Sequence, residues 1–282
     1  MSIEFINVSY TYAPGTSYEA KALTDFSLKI KDGEFLGVMG RTGCGKSTLM
    51  QLTAGLISPS SGQIFVDGED INGKGYDRNK LRKKIGVVFQ FPEIQLFEST
   101  VAKDVAFGLK HFDWSKEEKA TSVRESLAKL GFDYDEVCDK SPLGFSGGEK
   151  RRLAIAGVLA AKPEVLILDE PVAGLDPLGR EAFLKLLDEM NRGGTTVVMI
   201  SHSADAIAEH AERIVILKEG RLLKDGSPEE VFSDIEGLSA QGIGTGLVRE
   251  TADLLSKKGF GIPENTVKYE QLLKAVEGRM KR

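Results

Sequence analysis

The 282-residue chain is short of several things, and each shortage removes a class of protein. It has two cysteines, Cys44 and Cys138. Two thiols make no disulfide framework, and no CxxC or Cys/His cluster offers a zinc site. The net charge is −5, so the bulk balance lacks the basic surplus of a nucleic-acid binder and points to no nucleic-acid partner. No apolar run reaches the ~18 residues that argue for a membrane-spanning helix. The longest candidate, Leu153–Ala161, falls far short. The opening Met1-Ser2-Ile3-Glu4-Phe5 has neither the basic start nor the apolar core of a signal peptide. Repeats and low-complexity segments are absent as well. What remains is an ordinary globular composition, expected in the cytoplasm and able to reach a membrane only through a partner.

Periodicity predicts strands over Ile3–Tyr10, Leu23–Ile30, Phe35–Met39 and Gln63–Val66, separated by turn signals such as Ala13-Pro14-Gly15 and Lys31-Asp32-Gly33. A helical pattern covers Lys46–Leu56. Further strands are expected over Ile85–Gln90, Val165–Leu168 and Thr196–Ser201, with a hairpin over Arg213–Leu217 and Arg221–Lys224. Runs such as Val165-Leu166-Ile167-Leu168 are apolar on both faces, the pattern of a parallel strand covered by helices on each side. From about Pro92 to Ser146 the pattern is helical, including Ser115–Leu130, and predicts a helical insertion. After Ser227-Pro228-Glu229-Glu230, a capping box with proline at the first helical position, a helical tail follows. Its apolar faces are Leu247, Leu254 and Leu255, stopped by Gly259, and then Tyr269, Leu272, Leu273 and Val276. Those faces suit either packing on the chain's own domain or a dimer contact. The expected fold class is α/β, with an N-terminal antiparallel portion and a mainly parallel sheet flanked by helices. The domain expectation is a core over 1–230, with 92–148 inserted, and a helical extension over 231–282.

The sharpest motif is Gly40-Arg41-Thr42-Gly43-Cys44-Gly45-Lys46-Ser47, which fits G-x-x-x-x-G-K-[ST] between a strand and a helix. Its glycines let several backbone N–H groups converge on one anion, and the helix N-terminus adds positive potential. Lys46 is expected to reach the β/γ-phosphates and Ser47 to ligate Mg²⁺. Cys44, beside a lysine and a helix N-terminus, is a candidate for a lowered thiol pKa. Asp169-Glu170 follows a buried strand, where an aspartate holds Mg²⁺ and the next acid polarises a water. His202 ends another strand and is expected beside the same crevice. Gln90 also ends an expected strand, with an amide able to meet Mg²⁺ or water, whereas His111 and His210 read as residues of polar helices. Ser146-Gly147-Gly148-Glu149 opens a helix. A capping box explains Ser146 and Glu149, but it leaves unexplained two glycines, which suit close approach of a phosphate.

These motifs, in this order, resemble the ABC ATPase family over roughly residues 3–230. Gly40–Thr48 is similar to its P-loop, Gln90 to its Q-loop glutamine and Phe145–Glu149 to its LSGGQ signature. Asp169 and Glu170 resemble the Walker B pair, Ala173-Gly174-Leu175-Asp176 the D-loop, and His202 the switch histidine. Tyr12 resembles the aromatic that stacks on adenine, with Tyr10 as the alternative. The resemblance implies ATP and Mg²⁺ as ligands, ATP hydrolysis as the reaction, and head-to-tail dimers in which one P-loop faces the other signature. The signature departs from the pattern, since it reads Phe-Ser-Gly-Gly-Glu. Glu149 puts a negative charge near a nucleotide, which the helix N-terminus offsets by only ~0.3–1 kcal/mol.

Gln90–Phe97, Val101, Asp104–Gly108 and Ala154–Ala160 further resemble the ATPases of energy-coupling-factor importers, which take up vitamins or cobalt and nickel ions. That resemblance implies a second ATPase subunit, identical or paralogous, a transmembrane coupling subunit and a substrate-binding membrane protein. The chain would then sit on the cytoplasmic side of the cell membrane, with an acidic, apolar groove around Glu93, Leu96 and Phe97 receiving the coupling subunit. Two alternatives stay open: a nucleotide-binding assembly subunit paired with a paralogous ATPase, and a soluble ABC ATPase outside transport.

Overall fold

The computed structural model describes residues 1–280. In chain order the elements are β1 (Ile3–Tyr12), β2 (Ala20–Ile30), β3 (Phe35–Gly40), α1 (Lys46–Thr53), β4 (Ser61–Val66), β5 (Glu69–Asp70), α2 (Arg78–Lys84) and β6 (Ile85–Val88). Then come α3 (Val101–Val105), α4 (Lys116–Lys129), α5 (Tyr134–Val137), α6 (Gly147–Leu159), β7 (Val165–Asp169), α7 (Pro177–Arg192), β8 (Thr196–Ile200), α8 (Ala204–His210), β9 (Arg213–Lys218) and β10 (Arg221–Gly226). The chain finishes in α9 (Pro228–Val231), α10 (Ile235–Ala240), α11 (Leu247–Leu255) and α12 (Tyr269–Met280).

Two sheets organise these elements. The N-terminal sheet is antiparallel, in the order β2-β1-β4-β5, and the larger one runs β10-β9-β3-β8-β7-β6. In the larger sheet β9, β3, β8, β7 and β6 are parallel, and only the edge strand β10 is antiparallel. The strands that read as apolar on both faces occupy its centre, and their alternation sorts the core into two. Leu166, Leu168, Val197, Met199, Ile214 and Ile216 face α4, α6, α7 and α8. Val165, Ile167, Val198, Ile200, Val215 and Leu217 face α1 and the antiparallel sheet. A parallel strand needs cover on both faces, and this arrangement supplies it.

All the expected strands form, most of them with longer ends. Strands β6 and β8 are the exceptions: β8 stops at Ile200, one residue short, and β6 stops at Val88, so Gln90 lies on the loop beyond the strand and does not end it. Between β6 and β7 the described chain contains helices and turns but no strand. Helix α4 starts from a capping box in which Ser115 and Glu118 satisfy each other's backbone N–H groups. Ser227 and Glu230 do the same for α9. The tail is tied to α8 by polar contacts. The Asp205 carboxylate accepts the N–H groups of Leu247 and Val248 at 2.9 and 3.0 Å, and Glu209 holds Lys268 and Tyr269. The expected apolar faces do not point inward as sets. Leu247, Leu254, Tyr269 and Leu273 are exposed, while α11 buries Arg249 and Ala252. Gly259 does provide the stop, in a left-handed conformation at φ 86°.

The β3–α8 contact is tight. A Cβ at Gly37 would stand 2.4 Å from Ile207 Cγ2 and 3.3 Å from Ala211 Cβ. Ile207 is fully buried and β-branched, so it has no room to retreat. Gly37→Ala is expected to cost ~1–3 kcal/mol, as overpacking does, read as a lower urea midpoint with unchanged slope. An unchanged midpoint would show that α8 is free to shift.

Candidate active site

The loop from Gly40 to Gly45 leaves β3 and enters α1 through conformations that glycine alone adopts easily. Gly40 has φ 148° and Gly45 φ 111°. A Cβ at Gly40 would meet the Leu217 carbonyl at 2.4 Å, and one at Gly45 the Ala22 carbonyl at 2.5 Å. The loop is therefore clamped between β2 and the end of β9. Helix α1 begins at Lys46 with no side-chain cap, so its first N–H groups stay available at its positive end. Lys46 is buried, and its Nζ donates to the carbonyls of Gly40 at 2.6 Å and Arg41 at 3.0 Å. The Ser47 hydroxyl donates to Asp169 Oδ2 at 3.3 Å.

A cleft of about 320 Å³ opens over this loop. Its walls include Tyr12, Thr42, Gly43, Gly45, Lys46, Ser47, Thr48, Gln90, Asp169, Glu170 and His202. The structure thus gathers residues from five separate stretches of sequence at the C-terminal ends of the parallel strands. Tyr12, not Tyr10, reaches the rim. Its hydroxyl shares a hydrogen bond with Thr48 Oγ1 at 3.1 Å, and its ring meets Tyr10 edge-on at 4.8 Å. Lys21 and its two alanine neighbours complete the rim, and the sequence carried no signal for them.

Cys44 departs from its expectation. Its side chain is buried behind the loop and borders a different cavity of about 380 Å³, shared with Leu217, Gln241 and Ile243. Burial raises the thiol pKa, with the Lys46 charge opposing it, so the predicted lowering fails. A thiol beside a cation is acidified only where water can also solvate the thiolate.

The acidic pair is held in two different ways. Burial pushes the Asp169 carboxyl above its usual range, against the pull of the Ser47 hydroxyl and the Lys46 charge. Glu170 sits at φ 49°, a left-handed conformation that costs a non-glycine residue ~1–2 kcal/mol. Its N–H donates to the Ile200 carbonyl at 2.9 Å. Its carboxylate accepts the Ser201 hydroxyl at 3.1 Å and the His202 N–H at 2.8 Å. The His202 ring stands with Nε2 at 3.7 Å from Glu170 Oε1. The left-handed residue thus holds its carboxylate beside the histidine.

Besides Gly40 and Cys44, five expected site residues do not line the cleft. Ser146, Gly147, Gly148 and Glu149 form the N-terminus of α6, and Asp176 caps α7 by accepting the Gly179 N–H at 2.7 Å. Glu149 closes the box on Ser146, whose N–H and hydroxyl donate to Oε2 at 2.8 and 2.6 Å. Those bonds hold the Glu149 carboxyl below its usual range, so it stays an anion committed to the cap. Nothing in this chain explains the two glycines, since a Cβ at either position meets no atom within 4 Å.

One further residue was missed. Arg151 is buried and donates to the carbonyls of Pro171 (Nε, 3.1 Å), Gln90 (Nη1, 3.0 Å) and Glu170 (Nη2, 2.6 Å). It is in phase with the buried Ile155 and Leu159, a spacing that would have flagged it within α6. Glu93 lies 3.9 Å from its Nη1, and Leu96 is buried, so neither forms the open groove predicted for them. The exposed apolar residues here are Phe91, Ile94, Phe97 and Phe107.

An acid whose folded pKa is raised ionises more readily in the unfolded chain. Ionised Asp169 therefore lowers stability at neutral pH. That cost is absent below the ordinary carboxylate value of 3.8 and complete once the pH passes the folded pKa. Asp169→Asn is expected to raise the thermal midpoint at pH 7 in divalent-free buffer, by an amount that shrinks as the pH falls toward that value. A lower midpoint at pH 7 would contradict burial as the dominant effect.

Residues 23–173 match the family model described as ABC transporter. The energy-coupling factor transporter ATP-binding protein EcfA2 of Lactobacillus johnsonii is 45% identical over 284 residues, covering 100% of this chain and 98% of that protein. Its namesake in Clostridium tetani is 44% identical over 275 residues, or 97% of this chain and 96% of that one. Among solved structures, cbiO1 from Clostridium perfringens, part of the ABC transporter complex cbiONQ, has TM-score 0.73 and 36% identity, covering 90% of this chain and 98% of its own. The dimeric post-hydrolysis structure of the ATP-binding cassette MJ0796 bound to ADP and Pi has TM-score 0.71 and 31% identity, covering 80% and 98%. With a P-loop, an acidic pair and a histidine around one cleft, and relatives alike from end to end, the chain belongs to the ABC transporter ATP-binding family.

Proposed function

We propose that this chain is the ATP-hydrolysing subunit of an energy-coupling-factor importer, working on the cytoplasmic face of the membrane through head-to-tail dimer closure. One observation carries the dimer. The cleft gathers Lys46, Ser47, Asp169, Glu170 and His202, yet Ser146–Gly148 of the same chain stay outside it with two glycines that no intrachain contact requires. A nucleotide on one P-loop, covered by the signature of a second subunit, explains both facts. The MJ0796 cassette is dimeric with ADP and Pi, and the full-length relatives carry the energy-coupling-factor name.

In this reading Tyr12 stacks on the adenine. The Gly40–Thr48 loop, with Cys44 contributing backbone only, cradles the phosphates, and Lys46 leaves its two carbonyls for the β/γ-phosphates. Ser47 and Asp169, with Gln90 close by, offer the hard oxygen donors that Mg²⁺ prefers, and the Ser47–Asp169 contact fits that role. When bound, Mg²⁺ neutralises charge on the phosphates. Glu170 orients and polarises the attacking water. His202, beside it, is placed to hold the γ-phosphate side, and phosphoryl transfer needs chiefly such positioning. Ser146, Gly147, Gly148, Glu149 and Asp176 serve the opposing site. Residues 1–230 form the nucleotide-binding domain with 92–148 as its helical insertion, and 231–282 form the extension. The partners are a second ATPase subunit, a transmembrane coupling subunit and a substrate-binding membrane protein. The exposed Phe91, Ile94, Phe97 and Phe107 are the apolar surface for the coupling subunit.

A second reading, an assembly subunit completed by a paralogous ATPase, draws on the Glu149 carboxylate that occupies the Ser146 hydroxyl.

Glu170→Gln should keep ATP binding and remove the water-polarising carboxylate. Light scattering is expected to show an ATP-dependent dimer of this variant that dissociates when nucleotide is removed. A variant that binds ATP yet stays monomeric would move the paralogue reading ahead. For the membrane partner, Phe97→Asp should reduce co-purification with the coupling subunit at least tenfold while leaving ATP binding intact, the size expected of an apolar anchor at an interface. Undiminished recovery would remove this patch as the docking surface.

A further inference from the structure

Arg151 stands where three functional segments meet. Its guanidinium binds only main-chain oxygens, from the Gln90 loop and from Glu170-Pro171. Its own backbone belongs to α6, about 7 Å along the axis from the Ser146 cap. A planar fork donates from three separate nitrogens and so can serve three carbonyls spread around it, whereas an ammonium must reach all its acceptors from a single nitrogen. Because it fixes the Glu170 carbonyl, Arg151 helps hold the left-handed backbone that aims the Glu170 carboxylate. An unused acceptor lies alongside. Glu93 Oε2 is buried without a hydrogen bond, and Glu93 approaches Nη1 no closer than 3.9 Å. The guanidinium therefore has two sets of partners within a small displacement of each other: the loop carbonyls it now holds and the carboxylate it does not.

We propose that Arg151 is a positioning residue through which a nucleotide held by Ser146–Gly148 at one site sets the Glu170 carboxylate at the other. The proposal rests on the head-to-tail reading, in which α6 carries the signature for the opposing site while Arg151 stays beside this chain's own Glu170. Pull on the N-terminus of α6 moves a rigid helix. The helix carries the guanidinium, and the guanidinium carries the carbonyls of Gln90 and Glu170. Glu93 is the partner that the guanidinium takes when those carbonyls are released. The two sites then share one two-position element, which is the physical requirement for coupling between them.

The test is ATP hydrolysis by the purified ATPase dimer carrying Arg151→Lys, with Arg151→Gln as the second variant, alongside nucleotide affinity and thermal midpoint. Displacing a catalytic group by 1 Å can cost about a hundredfold, so kcat should fall about tenfold or more in both variants, with KM and ATP affinity within about twofold of the parent. The Hill coefficient for ATP should drop toward unity. Placed in the Glu170→Gln background, Arg151→Lys should leave ATP-driven dimerisation intact. An unchanged kcat, or a fall in kcat matched by lost affinity and a lower midpoint, would overturn the proposal and leave Arg151 a structural residue. Failure of Glu170→Gln alone to dimerise would count against the head-to-tail reading, and the split between kcat and KM would still decide whether Arg151 places Glu170.

Discussion

Two carbonyl oxygens decide the shape of the cleft floor. Those of Ala22 and Leu217 stand 2.5 and 2.4 Å from where the Cβ atoms of Gly45 and Gly40 would be, so the loop passes between β2 and β9 only as bare backbone. The same region is cross-tied, because the Gly220 N–H donates to the Cys44 carbonyl and the Gly220 carbonyl accepts the Thr24 N–H, both at 3.0 Å. The loop's curvature, the uncapped start of α1 and the inward Lys46 all follow from that clamp. An anion site made of backbone N–H groups works only if the backbone is held before the anion arrives.

The acidic half of the cleft stores unfavourable free energy. Asp169 is an acid in a place that disfavours its charge, and Glu170 holds a strained backbone. Neither would persist on a mobile loop. Both sit at the end of β7, whose neighbours on each side are parallel strands with two apolar faces. The scaffold over-determines the strand ends, and side chains strained there keep geometries that suit a ligand.

The remaining site residues face outward for a reason of chain direction. Helix α6 packs its Arg151–Ile155–Leu159 stripe on the core, which leaves its N-terminus at the surface, with Ser146 bonded to Glu149 and two glycines open to approach. The polar anchoring of the tail on α8 likewise leaves Leu247, Leu254, Tyr269 and Leu273 uncovered.

Local pattern alone determined a good deal here. The doubly apolar runs identified the buried parallel strands, the P-loop spacing located the anion loop, and the boxes at Ser146 and Ser227 marked helix starts, because each of these signals acts within a few residues. Tertiary structure decided what depends on which atoms meet across the chain. It chose Tyr12 over Tyr10 at the rim, turned Cys44 away from the cleft, and set the half-buried Glu93 beside Arg151. It also converted Arg151 from one charge in a basic run into the link between three segments. Burial and the reach of a side chain are set by packing between distant elements, and a sequence window holds only one partner of each such contact.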